Sequence, residues 1–121
     1  MKFAKIIFNI AGIYGLAALV PQFFTEEKAG RDFPPAITHP EFYYGFVGVA
    51  VAWQVLFLLL ARDPQRYRVM MIPAMLEKIG FGIAVPILYF QQRVASTILI
   101  FSMIDLLWAA LFLAAYIKTA E

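Results

Sequence analysis

Residues 69–90, VMMIPAMLEKIGFGIAVPILYF, constrain this chain more than any other stretch. About 20 apolar residues at ~1.5 Å each cross a ~30 Å hydrocarbon layer, and this run is long enough to do so. Yet adjacent Glu77 and Lys78 lie well inside it, with Pro73 and Pro86 on either side. At the resulting depth of about 10 to 12 Å, an ionisable side chain costs on the order of 2.5 to 3.5 kcal/mol even on the lenient insertion scale. Such a group has to face other helices or a polar cavity and find a partner there.

The composition agrees. Of 121 residues, 63% are hydrophobic and 15% charged, and the mean hydropathy is +0.77, where a soluble domain has about 45 to 50% apolar and about 25% charged residues. The expected fold is an all-α membrane protein, one domain, built as an antiparallel bundle of four transmembrane helices. The spans are placed at about 3–24, 42–61, 69–90 and 96–117, with a periplasmic loop over 25–41. No cysteine and a single histidine leave no ligand set for zinc, an iron-sulfur cluster or a CxxC redox site, so neither metal nor cofactor is expected. The net charge is +2. The basic residues lie beside helix ends, where they anchor and orient spans, and nucleic acid is not an expected partner.

Lys2 and Lys5 precede the first apolar stretch, which has the outline of a secretory leader. It has no small-x-small site after its core, and Pro21-Gln22-Phe23-Phe24 stands where cleavage would fall, so it is read as the first span. Ala11, Gly12, Gly15 and Ala18 give it a face for close helix approach. In TEEKAGRDFPPAITHPE, residues 25–41, alternating charges and Pro34-Pro35 argue against both helix and hydrophobic burial. Thr38 and Glu41 fit a capping box for the second span, which accounts for Glu41 without invoking an acid-base pair with His39. Phe42, Tyr43, Tyr44 and Phe46 form an interfacial aromatic belt, and Gly45, Gly48 and Ala52 form a second packing seam. Asp63 and Ser96 are expected N-caps, Asp63 with Pro64 at the first helical position. The short link around Arg62-Asp63-Pro64 makes spans two and three antiparallel neighbours, and Pro73 and Pro86 are expected to bend span three.

Lys and Arg counts set the orientation. Lys2, Lys5, Arg62, Arg66, Arg68 and Lys118 fall on one side and Lys28, Arg31 and Arg93 on the other, six against three, which places both termini in the cytoplasm.

Polar groups recur inside all four spans. Counted from the cytoplasmic edge, Asn9 lies at roughly 6 Å, Gln54 and Glu77 at about 10 to 12 Å, Tyr14 and Lys78 near ~13 Å and Asp105 near ~18 Å. This slab is thin enough to be one site, with Trp53 and Trp108 at similar depth. Glu77 and Lys78 point about 100° apart and cannot simply neutralise each other, so Lys78 is expected to pair with Asp105 while Glu77 meets Tyr14, Gln54 or Asn9. The candidate ligand-binding set is therefore Asn9, Tyr14, Trp53, Gln54, Glu77, Lys78, Asp105 and Trp108, with Glu77 and Asp105 the only candidates for proton chemistry. Polar contacts that merely fix helix register, and aromatic side chains that merely pack, remain the plainer alternatives.

The YYGFVGVAVAWQ opening of span two, LEKIGFG in span three and the segment from Asp105 to Trp108 resemble small bacterial DoxX-like four-helix proteins and, more distantly, the emopamil-binding and sterol-isomerase-like group. The resemblance implies either an apolar molecule held between the helices or a small subunit of a quinone-linked complex. The expected function is a mid-membrane polar site for a hydrophobic ligand, such as a lipid, quinone or isoprenoid. A non-catalytic accessory subunit, docked on a membrane partner or on its own copies, is one alternative. An isomerase using paired carboxylates is the other.

Overall fold

A computed structural model describes residues 2–120. Every regular element among them is helical: α1 (Lys2–Leu19), α2 (Glu26–Asp32), α3 (Pro40–Leu60), α4 (Met71–Phe90) and α5 (Ser96–Lys118), with 3-10 turns at Val20–Phe24 and Arg68–Met70. Four of the helical segments, Lys2–Phe24, Pro40–Leu60, Arg68–Phe90 and Ser96–Lys118, are long and apolar enough to cross a membrane.

The helices associate as two pairs. α1 packs on α3, α4 packs on α5, and α1 also touches α5. Small residues make the first pairing close: Ala11, Gly12 and Gly15 are buried, and a Cβ at Gly12 would come within 2.7 Å of the Leu58 side chain. The second pairing has its own glycine, because a Cβ at Gly82 would meet the Leu106 side chain at 2.6 Å. By contrast, Gly45 and Gly48 face open space and Ala52 is exposed, so the expected seam on α3 has no partner within the chain. Ala18 is exposed too and lines the cavity described below.

α3 and α4 make little direct contact, although they are consecutive long helices. Their link is longer than its Asp-Pro signal implies. Asp63 accepts a hydrogen bond from the Arg66 amide through Oδ1 at 3.3 Å, which caps a turn, and α4 begins only at Met71. Arg68 fixes this link to the end of α5. Its Nε donates to the Tyr116 carbonyl at 2.9 Å and to Thr119 Oγ1 at 3.2 Å, and its guanidinium lies 3.7 Å from the Tyr116 ring centroid. Near that end the core is continuous, joining Ala4, Phe8 and Ala11 with Phe57, Leu60, Ala61, Met71, Ala74, Phe112 and Ala115. Phe8, Phe57 and Phe112 interlock at its centre, with centroids 4.3 Å apart for Phe8–Phe112 and 5.1 Å for Phe57–Phe112.

Several local expectations are corrected. Residues 26–32 do form a helix: Glu26 and Glu27 occupy its first turn and Arg31 its last, as the helix dipole favours. Gly30 is buried there because a Cβ would lie 3.1 Å from Ala36 Cα, where the chain folds back. α3 starts from His39 with Pro40 at its first position, and neither Thr38 nor Glu41 forms a capping box. His39 accepts the Phe42 and Tyr43 amides through its carbonyl. Ala95, not Ser96, precedes the first turn of α5. Pro73 lies in the first turn of α4, where amides have no intrahelical acceptor to lose, so only Pro86 stands inside the helix.

Candidate functional site

Where α3 and α4 part, a cavity of about 1320 Å³ opens between them. α3 contributes Phe46, Val49, Ala50, Trp53 and Gln54 to its wall, α4 contributes Phe81, and α5 contributes Ile98 and Phe101. At one end α2 and the segment after it contribute Ala29, Phe33 and Ile37. At the other lie Tyr14, Glu77, Lys78 and Asp105.

The charged end has a definite geometry. Lys78, only 4% exposed, places Nζ 3.7 Å from Glu77 Oε2 and 3.7 Å from Asp105 Oδ1. The expected pairing of Lys78 with Asp105 is therefore present. The expectation that Glu77 and Lys78 do not neutralise each other is corrected, since their long side chains overcome the angular separation of their Cα–Cβ bonds. Both separations exceed ordinary hydrogen-bond length, and Glu77 Oε2 is buried with no hydrogen-bond partner. Lys78 Nζ also lies 5.4 Å from the Phe57 ring centroid, so the interlocked phenylalanines form the floor beneath the ammonium. With all three groups ionised the cluster carries a net charge of −1.

Gln54 is 1% exposed and points into the bundle, as a buried amide must. It does not bond to the charged cluster. Its Nε2 donates to the Ala50 carbonyl of its own helix at 2.9 Å, and its carboxamide fills the place where a Cβ on residue 15 would stand. Its Oε1 has no hydrogen-bond partner. The seal between α1 and α3 thus depends on a glycine matched to a glutamine.

The remaining candidates divide. Trp53 lines the cavity. Trp108 packs against the core, 6.1 Å from the Phe112 ring centroid and 6.1 Å from that of Tyr14, which makes it support behind Tyr14. Asn9 is exposed and stands outside the cavity lining. His39 and Glu41 are 3.7 Å apart, both well exposed, and remote from the cluster.

Sequence reasoning missed the participation of α2. Lys28, Asp32, Gln22 and Thr25 line the cavity at the far end, with Lys28 bonded to Asp32 at 2.5 Å. The Tyr43 hydroxyl donates to the Gln22 carbonyl at 2.7 Å and that of Tyr44 to Glu26 Oε1 at 3.0 Å, fastening the helix beside the mouth. The aromatic pair at the start of span two, read as an interfacial belt, was the available signal. Among the described residues no group of three or more metal-ligating side chains comes together. Comparison with protein-family models, curated proteins and solved structures finds no match to this chain.

Proposed function

We propose that this protein is a four-span antiparallel bundle of a bacterial inner membrane, with both termini in the cytoplasm, that holds a hydrophobic ligand in the cavity between α3 and α4. The observation that carries the reading is the joining of a large, mostly apolar cavity to the buried cluster of Glu77, Lys78 and Asp105 at one end. Three ionisable groups are an expensive way to hold helices together, since interhelical polar contacts in membranes average only about 0.6 kcal/mol. They are well suited to orienting the polar head of a molecule whose tail lies against Val49, Phe81 and Phe101. The cavity exceeds the roughly 300 to 1,000 Å³ usual for small-molecule pockets, which leaves room for a long apolar tail.

Extraction in native lipid followed by native mass spectrometry tests the proposal. The wild-type chain is expected to carry a stoichiometric apolar small molecule, and Val49→Trp, which fills the cavity from an exposed wall position, is expected to lose it while melting no lower than the wild type stripped of its ligand. No bound molecule, or equal retention by the variant, refutes the ligand reading. A stoichiometric second polypeptide in its place favours the accessory-subunit alternative. Orientation is tested with single cysteines at positions 2 and 27, in a chain that has none of its own. An impermeant reagent applied to intact cells is expected to label position 27 only.

A further inference from the structure

We infer, resting on the ligand reading above, that the site selects a hydrogen-bond-donating head without negative charge, an alcohol or an ammonium on a long apolar tail, and rejects carboxylates and heads that only accept. The charge count comes first. Two carboxylates flank one ammonium at equal distances of 3.7 Å, so the ammonium is already shared and the cluster is anionic by one unit when ionised. An entering carboxylate or phosphate meets a net repulsion that low surrounding polarity amplifies. The repulsion would exclude anionic bilayer lipids, which otherwise compete for any lateral cleft by sheer abundance.

The second observation is the surplus of acceptors. Glu77 Oε2 is buried with no donor, and Asp105 reaches Lys78 only at beyond hydrogen-bond length. The Lys78 ammonium cannot satisfy both carboxylates from its present position, whereas a hydroxyl or ammonium entering between them supplies the missing donor. A quinone or ether brings no donor for Glu77 Oε2 and can only compete with the two carboxylates for the Lys78 ammonium. The unpartnered oxygen of Gln54 takes no part, because it is wedged against Gly15.

The direct test uses the intact protein in nanodiscs of zwitterionic lipid at neutral pH, with four probes that share one tail: hexadecanol, hexadecylamine, palmitate and hexadecyl methyl ether. Binding is read as the change in tryptophan fluorescence against mole fraction of probe, Trp53 being the reporter in the cavity wall. Hexadecanol or hexadecylamine is expected to bind at least tenfold more tightly than palmitate and the ether. Palmitate or the ether binding within threefold of the better donor overturns the inference while leaving the cavity reading intact. A flat response to all four probes, with no endogenous lipid retained, overturns both. Asp105→Asn, which brings the cluster to zero net charge, serves as the second arm: it is expected to shrink the gap between hexadecylamine and palmitate by about tenfold. An unchanged gap in that variant rejects the role of the charges and overturns the inference.

Discussion

Replacing Lys78 by Met and Asp105 by Asn is expected to have unequal costs, and the inequality follows from the net charge of the cluster. At an effective dielectric constant of about 20, each 3.7 Å pairing contributes about 4.5 kcal/mol of attraction. The two carboxylates can be no more than about 7.4 Å apart, since each lies 3.7 Å from the same nitrogen, so they repel by at least about 2.2 kcal/mol on the same scale. Lys78→Met removes both attractions and leaves that repulsion buried. The net cost is expected at about 3 to 5 kcal/mol, the usual range for stranding a buried charge. Asp105→Asn removes one attraction, one repulsion and the desolvation of one carboxylate together, so about 1 to 2 kcal/mol is expected. The double variant is expected to cost at least about 1 kcal/mol less than the sum of the single changes. Unfolding by SDS in mixed micelles, followed by far-ultraviolet circular dichroism, measures all three. A loss from Asp105→Asn equal to or larger than that from Lys78→Met, or strictly additive losses, would refute the shared-lysine geometry.

Gly15→Ala is expected to destabilise the pairing of α1 with α3 by about 1 to 3 kcal/mol, because the added methyl stands where the Gln54 carboxamide lies. Gln54→Ala in the same chain should recover most of the loss in the same unfolding assay. Tyr43→Phe, which deletes the 2.7 Å bond to the Gln22 carbonyl, is expected to cost about 0.5 to 1.5 kcal/mol and to speed hydrogen exchange in 20–33 above that elsewhere, measured by mass spectrometry. Gln92 adopts φ of 60° just beyond α4, where the Arg93 amide returns to the Leu88 carbonyl at 2.9 Å. Gln92→Gly should therefore stabilise the protein by about 0.5 to 1 kcal/mol, measured as a raised melting temperature.

Four long apolar runs were legible because length and hydropathy alone define them, and their observed bounds differ from the expected ones by only one or two residues at most ends. Depth counting grouped Tyr14, Trp53, Gln54, Glu77, Lys78 and Asp105, which all line the cavity, together with Trp108, which packs on the core instead. The same counting misplaced Asn9, since height says nothing about which way a helix is turned. Direction also separated the two glycine seams: a small residue marks only the capacity for close approach, and Gly15 met Gln54 whereas Gly45 met nothing. Helix starts were the least legible feature. Thr38 and Ser96 have the right chemistry for caps, but Pro40 at the first position of α3 and extended Ala95 before α5 fix the starts by backbone geometry. The Asp63-Pro64 signal was real but governed a turn, which hid the length of the link and with it the separation of α3 from α4.

On the membrane-spanning reading proposed above, the division into two helix pairs has a consequence for how the chain enters a bilayer during synthesis. Glu77, Lys78 and Asp105 all belong to the α4–α5 pair, and Gln54 bonds to Ala50 and rests on Gly15 within the α1–α3 pair. Each pair therefore keeps the contacts of these polar groups largely within itself. If the chain spans a bilayer as proposed, the first half exposes no mid-span charge to hydrocarbon while the second is still being translated. On the same reading the second half enters with its lysine and both carboxylates close together rather than as three separate ions. Contacts between the halves are then mainly aromatic: Phe112 of the second interlocks with Phe8 and Phe57 of the first, and the Lys78 ammonium lies 5.4 Å from the Phe57 ring centroid.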